Sequence, residues 1–106
     1  MHSLTETPRI DMNTRVKSAG GQMAADVGGE LAILSLKTGT YYGLNEVGTR
    51  IWNLLDQPRT VREIRDYILA EYAVDASRCE RDLVVLLADL ARHHLVEFNH
   101  AAERAL

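Results

Sequence analysis

Between Glu30 and Leu55 the chain reads ELAILSLKTGTYYGLNEVGTRIWNLL, and within it the spacing of apolar residues changes from that of a strand to that of a helix. Leu31 to Leu36 are apolar except for Ser35 and include the aliphatic types that fit a pleated, half-buried surface. Lys37-Thr38-Gly39 supplies a turn, and Thr40 to Leu44, with Tyr41 and Tyr42, a second extended run, so the two fold back as a predicted hairpin. After Tyr42 the period lengthens. Val47, Ile51, Leu54 and Leu55 recur at i, i+4, i+7 and i+8, one stripe of a helix. Asn45 stands at the N-cap position, where its side-chain oxygen takes a free backbone N–H, and Glu46 suits the positive end of the helix dipole. A hairpin that runs directly into a helix constrains the remainder: the N-terminal third adds to its sheet, and the C-terminal half packs against it.

Upstream, Gln22 to Val27 reads as a strand joined to Leu31–Leu36 through Gly28-Gly29, a pair suited to a two-residue hairpin turn because the favoured turns need positive φ. The expected sheet is a meander of strands near 22–27, 30–36 and 40–44. Thr14 to Ser18 is expected as a short edge strand broken by Ala19-Gly20-Gly21. Residues 1–13 are polar, contain Pro8 and lack a period, so they are expected as a flexible N-terminal arm. Downstream, Asp56-Gln57-Pro58 ends the first helix, since proline disfavours helical geometry in the residue before it. Thr60-Val61-Arg62-Glu63 is a capping box that opens a second helix to about Tyr72. Asp75 caps a third, Ala76 to about His93. Leu95-Val96-Glu97 is a short strand or extended tail, which puts the domain at 14–97 and a frayed C-terminal tail at 98–106.

With 106 residues the chain suffices for one domain and a modest core, and a composition 46% hydrophobic and 25% charged is that of a soluble globular protein. The formal net charge of −3 gives no electrostatic footprint for nucleic acid or an acidic membrane. The single cysteine, Cys79, excludes an internal disulfide. No segment approaches the roughly 18 consecutive apolar residues of a membrane span, and the N-terminus has no apolar signal region, so a cytoplasmic location is expected.

Chemistry-bearing patterns are sparse. The glycine pairs lack the context of a phosphate loop. Of His2, His93, His94 and His100, the adjacent pair in the third helix diverge by about 100° around its axis, which disfavours a shared metal. Cys79 falls on the apolar stripe of the third helix with Leu83, Leu87 and Leu90, so it is expected as a small core residue. Leu86 lies on the margin of that stripe. Val85 falls outside it, between Arg78, Asp82 and Asp89, on a flank that is either a solvated surface or a binding face. No catalytic constellation and no cofactor motif emerges. The expected class is α+β: a winged-helix-like, three-stranded antiparallel β-sheet followed by three α-helices. A winged-helix DNA-binding regulator is therefore an alternative, but Glu46 to Glu97 holds seven Arg against ten Asp or Glu, a balance that opposes phosphate binding.

The run Leu34-Ser35-Leu36-Lys37-Thr38-Gly39-Thr40-Tyr41-Tyr42-Gly43-Leu44-Asn45, followed by Gly48, Ile51-Trp52 and Leu54-Leu55, resembles the PqqD-like family, also called RiPP recognition elements. The continuation Thr60-Val61, Ile64, Tyr72-Ala73-Val74-Asp75 and the Leu-rich final helix ending in Leu95-Val96 resembles it too, so the likeness spans about residues 22–97. The wording is most similar to the stand-alone leader-binding proteins of lasso-peptide pathways. The resemblance implies a non-catalytic adaptor, a monomer or weak dimer. It would bind the leader of a ribosomally made precursor peptide by adding it as a strand beside the third strand, and present it to a separate leader peptidase or other maturation enzyme. A role as peptide chaperone in quinone-cofactor (PQQ) synthesis is the alternative within the family. Carried over residue by residue, the implied peptide site is Thr40, Tyr41, Tyr42 and Gly43 on the strand, and Arg78, Asp82, Val85, Leu86 and Asp89 on the third helix. Asp82 and Asp89 would pair with basic leader residues around an apolar pocket.

Overall fold

In the computed structural model, which describes residues 10–99, Gly28 and Gly29 both take positive φ, 66° and 91°. That pair of angles belongs to a type I′ turn, whose twist matches the strands it joins. The Asp26 carboxylate accepts the Gly29 N–H at 2.8 Å and closes it. Numbered along the chain, the strands are β1 Arg15–Ser18, β2 Gln22–Val27, β3 Glu30–Ser35, β4 Tyr41–Leu44, β5 Arg59–Thr60 and β6 Val96–Asn99. The helices are α1 Glu46–Leu54, α2 Val61–Glu71 and α3 Ala76–Arg92. Strands β2, β3 and β4 form the predicted antiparallel meander in that spatial order, so among the described residues β4 is an edge. Its register pairs Ile33 with Tyr42 and Leu31 with Leu44.

The three helices start where the capping residues put them. Asn45 accepts from the Gly48 N–H, Asp75 from the Arg78 N–H, and Thr60 and Glu63 complete the reciprocal capping box. At the end of α3 the chain reverses through His94, at φ 61°. The Leu95 N–H reaches the Leu90 carbonyl at 2.9 Å and the His94 N–H the Ala91 carbonyl at 3.0 Å. This is a Schellman closure with histidine in the place glycine usually takes, and buried Leu90 and Leu95 supply its hydrophobic contact.

Three expectations need correction. The segment from Thr14 to Ser18 is not an edge strand. β1 is the centre of a second antiparallel sheet, β5-β1-β6, with Val16 fully buried. Its partners lie about forty and eighty positions further along the chain, beyond the reach of any local pattern. For the same reason Phe98 and Asn99, expected in a frayed tail, are the last residues of β6, paired with Val16 and Arg15. Of the expected N-terminal arm, residues 1–9 lie outside the described residues, as do 100–106 of the tail. Residues 10–13 run into the fold: Ile10 and Met12 pack against the core, and the Met12 and Thr14 carbonyls take the Arg62 and Val61 N–H groups.

Ile33 and Leu44 of the meander, Ile51 and Leu54 of α1, Ile64 and Ile68 of α2, and Leu83, Leu87 and Leu90 of α3 make one core, joined from the second sheet by Val16 and Val96. The helices cover only one face of the meander. On the other, Met23, Val27 and Tyr41 stand exposed.

Candidate functional site

Because hydrogen-bonded and non-bonded pairs alternate along an antiparallel ladder, one bond fixes the direction of all the others. The Ser35 N–H donates to the Thr40 carbonyl at 2.8 Å. The register then makes Ile33/Tyr42 and Leu31/Leu44 the bonded pairs. Tyr41 and Gly43 therefore both turn their N–H and C=O groups to the free edge of β4. Two residues thus offer four backbone groups, the template that strand addition requires.

Beside that edge lies a groove of about 480 Å³. Tyr42, Gly43 and Leu44 form its strand wall, and Arg78, Cys79, Asp82, Leu83 and Leu86 of α3 form the wall opposite. Val47, Gly48 and Ile51 of α1, with Ile68 and Val74, line the rest. Gly48 allows α1 to lie this close to β4: a Cβ there would stand 3.1 Å from Leu44 Cδ2 and 3.3 Å from Asn45 Oδ1, so the strand end would have to give way. The lining is apolar with a few polar groups at the rim, and its volume is within the usual range of ligand sites.

Five of the nine residues implied by the resemblance line this groove: Tyr42, Gly43, Arg78, Asp82 and Leu86. The other four stand elsewhere. Thr40 belongs to the turn before β4, with its N–H on Thr38 Oγ1 at 3.2 Å and its carbonyl on Ser35, so its backbone is committed. Tyr41 contributes its backbone to the edge, while its side chain is 67% exposed on the other face of the sheet. Val85, 62% exposed, is outside the groove because α3 turns it away from β4. Asp89 is absent from the lining; its carboxylate accepts the Tyr42 hydroxyl at 2.6 Å. Cys79, expected in the core, is half-buried on the groove wall, one turn before Leu83. Val47 and Ile51 were legible in the sequence only as stripe residues of the first helix, and Ile68 only as an apolar residue of the second. Gly48, a helical glycine four residues after Leu44, was the one sequence signal for a close approach here.

The charges at the rim are weakly tied. Arg78 and Asp82 meet at 3.5 Å with both side chains largely in water, so the pair is worth little and either is available to a ligand. Burial pushes the Cys79 thiol up, with Arg65 acting in the opposite sense. Such a thiol is a poor nucleophile near neutrality. Burial, and then the bond to Asp89, pushes the Tyr42 hydroxyl up to about 12, and that bond holds the Asp89 carboxyl below its ordinary value. Among the described residues no cluster of three or more His, Cys, Asp or Glu is placed to hold a metal ion, and no helix is long and apolar enough to cross a membrane. The arrangement puts a strand edge with outward backbone groups directly beside an apolar groove, a geometry compatible with an extended chain.

The family model for coenzyme PQQ synthesis protein D (PqqD) matches residues 30–96, which run from β3 into β6. TbiB1, solved in complex with the TbiA(beta) leader peptide, is 44% identical over 76% of this chain and 94% of its own, with a TM-score of 0.70. A lasso peptide synthetase B1 complexed with its leader peptide is 22% identical over 77% of this chain and 96% of that one, with a TM-score of 0.67. The PqqD truncation of Methylobacterium extorquens PqqCD, a stand-alone RiPP recognition element, is 19% identical over 84% of this chain and 95% of that one, with a TM-score of 0.70. The last two share the fold. No curated protein matches the sequence.

Proposed function

The chain belongs to the family of coenzyme PQQ synthesis protein D, and from that membership we propose that it is a non-catalytic adaptor for the leader of a ribosomally made precursor peptide. The leader adds to the free edge of β4, and its side chains enter the groove between β4 and α3. The observation that carries this reading is the conjunction of an unpaired edge at Tyr41 and Gly43 with an apolar groove directly beside it. The edge supplies register to any extended peptide, and the groove chooses among sequences. Tyr42, Gly43, Leu86, Arg78 and Asp82 form the contact surface, with Asp82 the acidic group available to a basic leader residue. TbiB1, at 44% identity, is a protein solved with a leader peptide, which supports the same ligand class here. The favoured pathway is the lasso-peptide one, because the Tyr41–Asn45 stretch and the helix after it read most like the leader-binding proteins of such pathways. The adaptor would hold the precursor for a separate leader peptidase or other maturation enzyme.

The test is a titration of labelled TbiA(beta) leader peptide against the wild type, Tyr41→Pro, Gly43→Pro and Asp82→Arg, with Glu97→Arg on the second sheet as the distant control. Each proline removes one outward donor from an edge strand, where the fold tolerates it, and should weaken binding about tenfold. Asp82→Arg should cost on the order of 1–3 kcal/mol of affinity while changing stability by less than about 0.5 kcal/mol. Equal affinities for all five proteins would place the peptide elsewhere.

A further inference from the structure

Tyr42 and Asp89 are 47 positions apart in sequence, one on the edge strand and one near the C-terminal end of α3, and their 2.6 Å hydrogen bond directly ties these elements together. Both carboxylate oxygens of Asp89 are engaged. Oδ2 accepts from Tyr42, and Oδ1 accepts from Arg92 at 3.2 Å, so a neighbouring cation already offsets the charge. The Tyr42 ring is also held edge-on by His93, with centroids 5.1 Å apart and planes at 73°. The His93 Nδ1 in turn sits 2.9 Å from the Asp89 carbonyl. On α3 the groove lining stops at Leu86, one turn before Asp89, so this cluster stands at one end of the groove and spans it.

We infer that the Tyr42–Asp89 bond is a strut that sets the separation of the β4 edge from α3, and that Asp89 serves leader recognition as a positioning residue rather than as a partner for a basic leader side chain. The inference rests on the leader-binding reading above and assigns Asp89 a different part in it. An added strand must reach the outward groups of Tyr41 and Gly43 while its side chains meet α3. The energy of that double contact depends on how far apart the two walls are held. β4 is four residues long and, among the described strands, paired on one side only; the burial of Leu44 in the shared core anchors its C-terminal end, and the Tyr42–Asp89 bond is the direct polar tie between its outer stretch and the helix. The high Tyr42 pKa fits a hydroxyl that stays a donor to a carboxylate throughout the working range.

The two roles predict opposite patterns. Titrate labelled TbiA(beta) leader peptide against the wild type, Tyr42→Phe, Asp89→Ala, Asp89→Asn and the double variant Tyr42→Phe/Asp89→Ala. For a strut, Tyr42→Phe and Asp89→Ala weaken binding equally, on the order of 5- to 10-fold, and the double variant is no worse than either. Asp89→Asn, whose amide oxygen still accepts from Tyr42, stays within about twofold of the wild type. For a leader contact, Asp89→Asn loses as much as Asp89→Ala and Tyr42→Phe loses nothing, which would overturn the inference. Amide exchange in the peptide-free protein gives the second readout: a strut makes the Tyr42 and Leu44 amides exchange faster in Tyr42→Phe, with those of β1 and β6 unchanged. Tyr42→Phe keeps the ring on His93, so it tests the bond without emptying the site. A wild type that does not bind the leader overturns the recognition reading, and this inference with it; a wild type that binds, with variants of equal affinity, overturns the strut alone.

Discussion

Two side chains around the groove carry consequences of their own. Cys79 is half-buried on the groove wall with its thiol pushed up by burial, so alkylation of the native protein near neutrality should be slower than that of the unfolded chain. A leader seated in the groove as proposed would cover the sulfur. At ten times its Kd, the peptide should slow labelling roughly tenfold, because only the empty fraction reacts. An unchanged rate would mean that the peptide leaves this part of the wall bare. Asp89 makes a prediction about acid. The Tyr42 bond holds its carboxyl below the ordinary value. A depressed folded pKa contributes stability that is complete above the unfolded value, near 4, and is lost as the pH falls through the folded one. Urea midpoints measured from pH 5 down to pH 2.5 should therefore fall less steeply in Tyr42→Phe than in the wild type. Parallel profiles would show that the hydroxyl does not set the carboxyl's acidity.

At the scale of the element, the sequence was most legible where a side chain meets its own backbone. Asn45, Thr60 with Glu63, and Asp75 each satisfy an amide three residues ahead, and all three helices begin where those residues stand. The far end of α3 was less legible. His94 at φ 61° does what glycine commonly does, and its place beside His93 drew attention to metal chemistry instead. A non-glycine residue in the left-handed region carries a steric cost, partly balanced in glycine by the greater freedom of its unfolded chain. His94→Gly should therefore stabilise the fold, by about 0.5–1 kcal/mol in chemical denaturation. A loss would mean that the imidazole of His94 makes a contact worth more than the backbone strain.

For the molecule as a whole, the second sheet gathers three distant pieces of chain. β1 is held by β5 on one side and β6 on the other, and Val16, Leu95 and Val96 join the core that the helices share with the meander. A chain ending at Leu95 would lose Val96, which is 4% exposed, and the packing of Phe98, together with four register pairs to β1. At about 1.5–3 kcal/mol for each buried side chain, the loss is on the order of 3–5 kcal/mol, a large fraction of the total stability of a small domain. Thermal unfolding should show a correspondingly lower midpoint. A midpoint close to that of the full chain would mean that the meander and helices are self-sufficient.

The sequence by itself determined what short-range forces decide. The turns at Gly28-Gly29 and Gly39, the apolar run of β3, the caps and the helical apolar stripes are set by interactions over four residues or fewer, and each of these elements stands where the local pattern placed it. The resemblance carried by Leu34 to Leu55 and by the continuation into the Leu-rich final helix reached the family and five residues of the groove. Only the tertiary structure decided which of several equivalent positions meet. Ile51 and Ile68 look like any core residue until the packing of α1 and α2 leaves a groove beside them, and Asp89 looks like a rim charge until β4 brings Tyr42 to it. β1 looks like an edge until chain from forty and eighty residues away pairs with both its sides. Pairings of that kind depend on how the whole chain shares its buried surface, and no local spacing encodes them.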